Sequence, residues 1–580
     1  MNQSEWIINK YDNGQSANLS EECEIPLAVS NVLVGRGMHD PIIAKKFFLK
    51  SPSEIRDPKK LPDCAKAVNR LKLALENKEK IFVWGDYDVD GITATSVIVT
   101  AMRMFGAELT YRVPNRIQHG YDIKRHSVDE CIKEGATLMM SVDCGIVAFD
   151  TAIYAKEKNI DLIITDHHAP DLEGEVPDAL AIVNPSRLDS EYGFTGLCGA
   201  TVAFKLMIAL AKEIGYDVNA IVRETLEFVA LGTVADVAPM IDENRILVDR
   251  GCKMLSNSSK VGIQEILKIA GATEVDPTTI GFQIGPRMNA IGRLEDPMIA
   301  VELMLERSPQ RAKYLAMQLD TANKRRQAKQ EFMFQEAIAL VESCNLTEDP
   351  VIVCWAKSWH PGLIGLVAGK LAEKYQRPAI VMAVDDNGIA KGSCRSTRVI
   401  NILDILRHDR NIPYYAKNKD KPILGGHAFA AGFSLMSEHL EAFRRTCCEV
   451  VKELNPDSTF DKKIYFVDSR IVPGAVNDET FDALQQMAPF GSGNAEPVFM
   501  LKNIKVEEQK KMSNGKHLKL ILSDKSFKFK KQSALLWHKG EDYQEDYTNK
   551  NIDILFTFAK ESKGYGSKFY LTIVDFRESI

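Results

Sequence analysis

The residues Gly85-Asp86-Tyr87-Asp88-Val89-Asp90-Gly91 set three carboxylates at alternate positions directly after the apolar run Ile81-Phe82-Val83-Trp84. Three such groups a few ångströms apart stay ionised only at high cost unless cations neutralise them. A turn with a helix N-cap explains one aspartate of this kind but is a poor explanation of three. The arrangement recurs. Thr137–Val142 leads into Asp143-Cys144-Gly145, Asp161–Thr165 leads into Asp166-His167-His168, and Leu231-Gly232-Thr233-Val234-Ala235 ends at Asp236. If the preceding runs are parallel strands, their carboxyl ends converge, and acids from distant sequence meet where open α/β sheets bind ligands. A lone histidine there would more often be a satisfied structural residue; adjacent histidines beside converging carboxylates point to metal.

Carboxylate oxygen with limited imidazole and no thiolate favours Mn²⁺ or Mg²⁺ over Zn²⁺. Five or six side chains exceed the needs of one ion that must also hold water and substrate. Two divalent cations sharing a bridging carboxylate satisfy the set, and such a pair activates water while stabilising a leaving oxygen. The chemistry that fits is hydrolysis of a phosphoester or phosphoanhydride.

The elements that must position these groups follow from the pattern of apolar runs. From Lys80 to about Pro185, strand-length runs alternate with helical stretches, as in a parallel α/β sheet. A helix-rich part follows, then a long connector with few breakers, and the alternation restarts after Asp349-Pro350. Beyond Asn455-Pro456 come five or six short, partly alternating strands separated by polar turns, which suggests a small barrel or sandwich. The expected divisions are a helical N-terminal segment (1–75), a catalytic domain (76–299), a connecting helix (300–348), a smaller α/β domain (349–454) and a C-terminal barrel (455–580). A chain of 580 residues is too long for one core, and about three or four domains are expected.

The segments GDYDVDG, SVDCG, TDHH and TVAD, in that order, resemble the motifs of the DHH phosphoesterase superfamily. Gly425-Gly426-His427-Ala428 with Ala431-Gly432, and Lys391-Gly392-Ser393-Cys394-Arg395-Ser396, resemble its DHH-associated domain. Pro489-Phe490-Gly491-Ser492-Gly493-Asn494-Ala495-Glu496-Pro497 resembles the segment leading into the oligonucleotide-binding (OB-fold) barrel of the superfamily's single-strand exonucleases. The resemblance covers roughly residues 30 to 580. It implies a parallel-sheet DHH domain, a long helix, a smaller α/β domain and an OB-fold. The activity it implies is 5′→3′ exonuclease action on single-stranded DNA, releasing 5′-mononucleotides in recombination and repair. By the same resemblance Asp88 and Asp143, with Asp86 assisting, would hold one ion, and Asp90, Asp143, His167 and Asp236 the other, with Asp143 bridging. His168 would face the scissile phosphate or support a ligand, and Asp166 would either orient a histidine or cap a helix. Other members open their first motif with a histidine where this chain has Asp86.

Arginine is the natural reader of phosphate because its fork matches two oxygens. Candidates are Arg116, Arg287 and Arg293, with Ser393, Arg395, Ser396 and His427 from the second α/β domain; His427 is expected beside a Gly-Gly turn. For each arginine alone a surface ion pair is the competing reading. The net charge of −6 hides a local excess: residues 501–539 hold eleven lysines and no arginine against three acids. Phe527, Phe529, Trp537 and His517 in the same stretch could stack on bases or fill a barrel core. A small soluble substrate does not need such a barrel. That weighs against the alternative of a DHH-type phosphodiesterase acting on short oligonucleotides, cyclic dinucleotides or polyphosphate. A non-catalytic scaffold is disfavoured because the whole ligand set is present.

No run approaches the 18 or so apolar residues of a membrane span, and no secretory leader is visible at the start. Eleven scattered cysteines suggest a reduced, cytoplasmic chain. A helicase and a single-strand-binding protein are the partners expected to supply the strand.

Overall fold

The computed structural model describes residues 4–579 apart from 116–121, 172, 398, 419–420, 457–462, 525–530, 541–542, 544 and 562–567. The first sheet has five strands, all parallel, in the spatial order Leu109–Arg112, Ile81–Trp84, Leu138–Val142, Asp161–Thr165, Ala181–Val183. The two strands Ile81–Trp84 and Leu138–Val142 are fully buried, which is why they read as unbroken apolar runs. From Ile81–Trp84 the chain steps outward to Leu109–Arg112, then crosses back to Leu138–Val142 on the other side. The strand order therefore reverses between Ile81–Trp84 and Leu138–Val142, and the loops leaving those strands flank the crevice where such sheets take ligands. Helices Val89–Met104, Gly199–Glu213, Val218–Ala235 and Asp242–Ser256 pack around one large core with the strands.

The long helix Pro309–Ser343 starts on a Ser308 N-cap with proline in its first turn. Its first half buries Ala312, Leu315, Leu319 and Ala322 in the first core, and its second half buries Met333, Ala337 and Val341 against the second α/β unit. That unit carries a mixed five-stranded sheet, ordered Leu424–His427, Ala430–Met436, Ile389–Arg395, Ala379–Val384, Ile352–Ala356. Gly425 and Gly426 lie within its edge strand, not in a turn: they pair with Gly432 and Ala431, and the hairpin turns at Ala428-Phe429. Gly426 has φ +143°, and a Cβ there would meet the backbone of Ala430 and Ala431 at 2.4 Å, so only glycine fits.

The C-terminal strands Phe499–Met512, His517–Ser523, Gln532–Leu536, Phe569–Glu578 and Asn551–Lys560 close into a five-stranded barrel, since the first also pairs with the last. The run Ile464–Val467 is not a barrel strand. It pairs in parallel with Glu5–Ile8, a strand hidden in a segment whose sequence reads as helical. The N-terminal helices Asn13–Cys23, Leu27–Gly35 and Pro41–Leu49 share one hydrophobic cluster with the barrel: Leu19, Val29, Val32 and Leu33 pack with Phe499, Leu501 and Phe556. Amphipathic periodicity shows that a face is buried but not against what, so this pairing of chain ends was not readable from sequence.

Among the described residues no helix is long and apolar enough to cross a membrane. All eleven cysteines are free.

Candidate active site

The strand Ile81–Trp84 ends at Gly85, and the helix Val89–Met104 begins four residues later. Asp88 is its N-cap, accepting from the N–H groups of Asp90 (3.0 Å) and Gly91 (3.2 Å). Capping and metal-type convergence are thus combined in one residue. Asp86 and Asp90 are both buried. Asp90 reaches the N-terminus of Gly199–Glu213, where Gly199 N–H donates to Oδ2 (2.6 Å) and Ala200 N–H to Oδ1 (2.8 Å). These donors fix the carboxylate's orientation, and each oxygen keeps a second lone pair.

Asp143 sits past the next strand with φ +63°, a left-handed backbone that aspartate tolerates at modest strain and that turns its carboxylate into the crevice. Its N–H still bonds Thr165 O (2.9 Å), and Ser141 Oγ donates to Cys144 O (2.8 Å), which fixes the turn. Two glycines make room. A Cβ on Gly199 would lie 2.5 Å from Asp143 Oδ1, and one on Gly232 would lie 2.6 Å from Asp90 Oδ1. A side chain at either position would push these carboxylates out of place.

Asp166 is fully buried and organises the loop after the fourth strand in spatial order. Oδ1 accepts from the N–H groups of His167 (2.7 Å) and His168 (3.1 Å) and contacts His168 Nδ1 (2.7 Å); Oδ2 accepts from Ile146 N–H (2.9 Å). Among the described residues no helix starts there, so Asp166 orients a histidine and caps none. Two residues that the sequence did not single out finish the loop: Asn184 Nδ2 donates to His168 O (2.9 Å) and Ser186 Oγ to His167 O (2.8 Å). Their only sequence signal was the polar Asn-Pro-Ser after the strand Ala181–Val183.

These segments converge. Ligand atoms of Asp86, Asp88 and Asp143 lie within 4.8 Å of one another, as do those of Asp90, His167 and Asp236, and of Asp143, His167 and His168. His167 Nε2 is 3.1 Å from Asp143 Oδ1 and 3.7 Å from Asp90 Oδ2, and its Nδ1 is 3.9 Å from Asp236 Oδ2. Although so close, Asp143 Oδ1 and His167 Nε2 are buried and make no hydrogen bond among the described residues. Burial, then the charges of Asp90, Asp88 and Asp86, push Asp143 well above the usual carboxylate range. Burial followed by Asp90 and Asp88 raises Asp236 to about 8. His167 is lowered by burial, which keeps the imidazole neutral and able to ligate. For His168 burial works against the charge, but the bond and charge of Asp166, then Asp236 and Asp90, hold it up to about 9.

The donor set fits divalent metal. Repulsion between each pair of ionised carboxylates at this spacing is roughly 3–4 kcal/mol at an effective dielectric of 20, and cations remove it. The nearby thiols are turned away: Cys144 Sγ faces Val142 O, and Cys198 Sγ contacts Thr201 and Thr233 hydroxyls. What remains is oxygen with imidazole, the set for a hard cation.

The phosphate-reading candidates divide. Ser393 and Arg395 converge on the first turn of the helix Ile364–Tyr375, where a Cβ on Gly365 would lie 2.9 Å from Ser393 Oγ and 3.3 Å from Arg395 Nη2. Arg293 reaches the same unit, its Nη1 donating to Gly362 O (2.9 Å). Arg287 is instead engaged with Asp320 on the long helix (3.0 Å), the ion-pair reading. Ser396 Oγ donates to Ile400 O (2.6 Å), which ties a local turn. His427 stands exposed on the edge strand. Arg116, Phe527 and Phe529 lie outside the described residues. On the barrel, Trp537 is 39% exposed with His517 edge-on at 4.9 Å, so it does not fill the core.

The family model described as DHH family, N-terminal domain, matches residues 80–233, the DHHA1 domain matches 348–453, and the RecJ OB domain matches 467–575. The single-stranded-DNA-specific exonuclease RecJ of Haemophilus influenzae is 34% identical over 487 residues, spanning 81% of this chain and 83% of that protein. The chain belongs to the RecJ family. Its Bacillus subtilis member is 34% identical over 543 residues, covering 92% of this chain, which spans 66% of that longer protein. The crystal structure of RecJ in complex with Mn²⁺ from Thermus thermophilus superposes with a TM-score of 0.83 at 26% identity, covering 99% of this chain and 80% of that one. A manganese-bound exonuclease RecJ matches with a TM-score of 0.57 at 31% identity, over 67% of this chain and 94% of that one.

Proposed function

We propose that this RecJ-family chain is a metal-dependent hydrolase that removes 5′-mononucleotides from single-stranded DNA. The observation that carries the reading is the convergence of six acidic and imidazole side chains, Asp86, Asp88, Asp90, Asp143, His167 and Asp236, from four separate segments in one crevice. Asp88 and Asp143, with Asp86, would hold one Mn²⁺ or Mg²⁺ ion, and Asp90, Asp143, His167 and Asp236 a second. When bound, such a pair lowers the pKa of a water and offsets charge developing on phosphate. The chain's own residues prepare the site. Gly199 and Ala200 N–H groups fix the Asp90 carboxylate in place, and the left-handed turn at Asp143 aims its carboxylate between the two groups. Asp166 keeps His168 protonated and oriented, so that its other ring nitrogen can donate to a phosphate oxygen. Arg293, Arg395 and Ser393 supply donors for the strand and its 5′ end, with Arg116 and His427 as further contacts.

The domain divisions at residues 76, 300, 349 and 455 belong to this reading, with the first helices serving the barrel. A helicase and a single-strand-binding protein would present the strand. The deciding experiment is digestion of 5′- and 3′-labelled oligonucleotides, single- and double-stranded, with Mn²⁺ or Mg²⁺. Mononucleotides from the 5′ end of the single strand are expected; equal cleavage of a blunt duplex, or of a dinucleotide in preference to a long strand, would overturn the reading.

A further inference from the structure

Between the buried Ile280 and Ile284 the chain widens into one turn of π-helix, and this turn points Phe282 the other way, 80% exposed. Isolated π turns cost hydrogen-bond geometry and recur at functional positions. Phe282 is not isolated on the surface. It lines a cavity of about 570 Å³ with Phe490 from the barrel side, Arg326 from the long helix, and Val234, Ala235 and Val237, the neighbours of Asp236. That volume is within the range of ligand sites, and one wall is built from the residues that flank Asp236 in the chain. An occupant of the cavity therefore lies against the segment that carries Asp236.

The lining selects the occupant. Two aromatic rings come from separate parts of the chain. The Arg326 guanidinium is fixed by Asn323 Oδ1 (2.6 Å) and Gln330 Oε1 (2.9 Å), and its buried Nε makes no hydrogen bond among the described residues. Asn289, also in the wall, accepts from Val89 N–H (3.3 Å) and so links the cavity to the Asp86–Asp90 loop. Rings beside a fixed cation next to a phosphate-hydrolysing centre suit a nucleotide: π-face for the base, guanidinium for the phosphate.

We infer that Phe282 is a stacking platform for one base of the bound strand, held at a set number of nucleotides from the scissile phosphate. The inference rests on the strand-hydrolysis reading above and adds a specificity-determining residue to it. Stacking is sequence-tolerant, since every base has a π-face, so the platform sets register without choosing sequence.

The test is a pause assay with full-length protein and Mn²⁺ on 3′-labelled, 5′-phosphorylated 20-mers carrying one abasic residue at successive positions. The wild type is expected to slow about ten-fold when the abasic residue reaches one particular register, and that pause should keep a constant distance from the advancing 5′ end. Phe282→Leu should be slower on intact strands and show no added pause at that register; Phe282→Trp should restore it. As an exposed residue, Phe282 can be replaced without loss of folding, checked by an unchanged unfolding midpoint. Identical pause profiles for wild type and Phe282→Leu, or no position-specific pause in either, would overturn the platform while leaving exonuclease action intact. No shortening of the 3′-labelled strand by the wild type would instead overturn the underlying reading, and the platform with it.

Discussion

In the proposed reaction the carboxyl ends of the parallel sheet and the outer face of the barrel would serve one strand by opposite means. In the crevice, a few groups from three strand ends and one helix end are held by backbone donors, two glycines with no room for a Cβ, and a left-handed turn. On the barrel, strands alternate inward Leu518, Leu520 and Leu522 with outward Lys519, and exposed lysines such as Lys502, Lys510 and Lys516 carry charge without shared geometry. Chemistry needs atoms placed to fractions of an ångström, so each residue there is worth orders of magnitude. Electrostatic holding is a sum of small, nearly interchangeable terms.

The contrast can be broken or sharpened by substitution. Asp143→Asn keeps the left-handed backbone but removes the shared charge. Hydrolysis should fall by more than about 10⁴-fold, beyond what a single proton-transfer group supplies, with strand binding largely retained; turnover assays beside binding titrations check both halves. Gly199→Ala places a methyl against Asp143 and should cost roughly 100-fold in turnover through misplacement of about an ångström. A near-normal rate would mean that the cluster is looser than drawn. Asp166→Asn weakens the support of both histidines and should lower metal affinity about 10–100-fold, measured by Mn²⁺ titration of activity. Replacing Lys502, Lys510 and Lys516 together should leave the rate on saturating strand unchanged. The slope of log binding constant against log salt should decrease by about 0.7 for each phosphate no longer neutralised. An unchanged slope would remove the barrel from the binding surface.

The same contrast explains what could be read from sequence. Asp86, Asp88, Asp90, Asp143 and His167 were legible because clustered acids and histidines after apolar strands have few structural explanations, and parallel topology brings them together; Asp236 instead ends the helix Val218–Ala235, so its apolar run was not the strand its pattern suggested. The supports were not: a backbone N–H donor such as Gly199 or Ala200 leaves no side-chain signature, and Asn184 and Ser186 read as an ordinary loop. Among the arginines, sequence alone could not separate Arg287, which pairs with Asp320, from Arg293, which reaches Gly362. The barrel was legible through alternation, but Ile464–Val467 joins Glu5–Ile8 across more than 450 residues, and no local pattern records such a pairing. One consequence is practical: deleting residues 455–580 would strip the partner from the N-terminal helices, so the lysine substitutions are the cleaner probe of the barrel.

Anomalous diffraction from Mn²⁺-soaked crystals tests the convergence of the acids most directly. Two peaks are expected in the crevice, one among Asp86, Asp88 and Asp143 and one among Asp90, His167 and Asp236, with an Asp143 oxygen near both. No peak there, or ions bound only elsewhere with Asp143 turned out of the crevice, would contradict it.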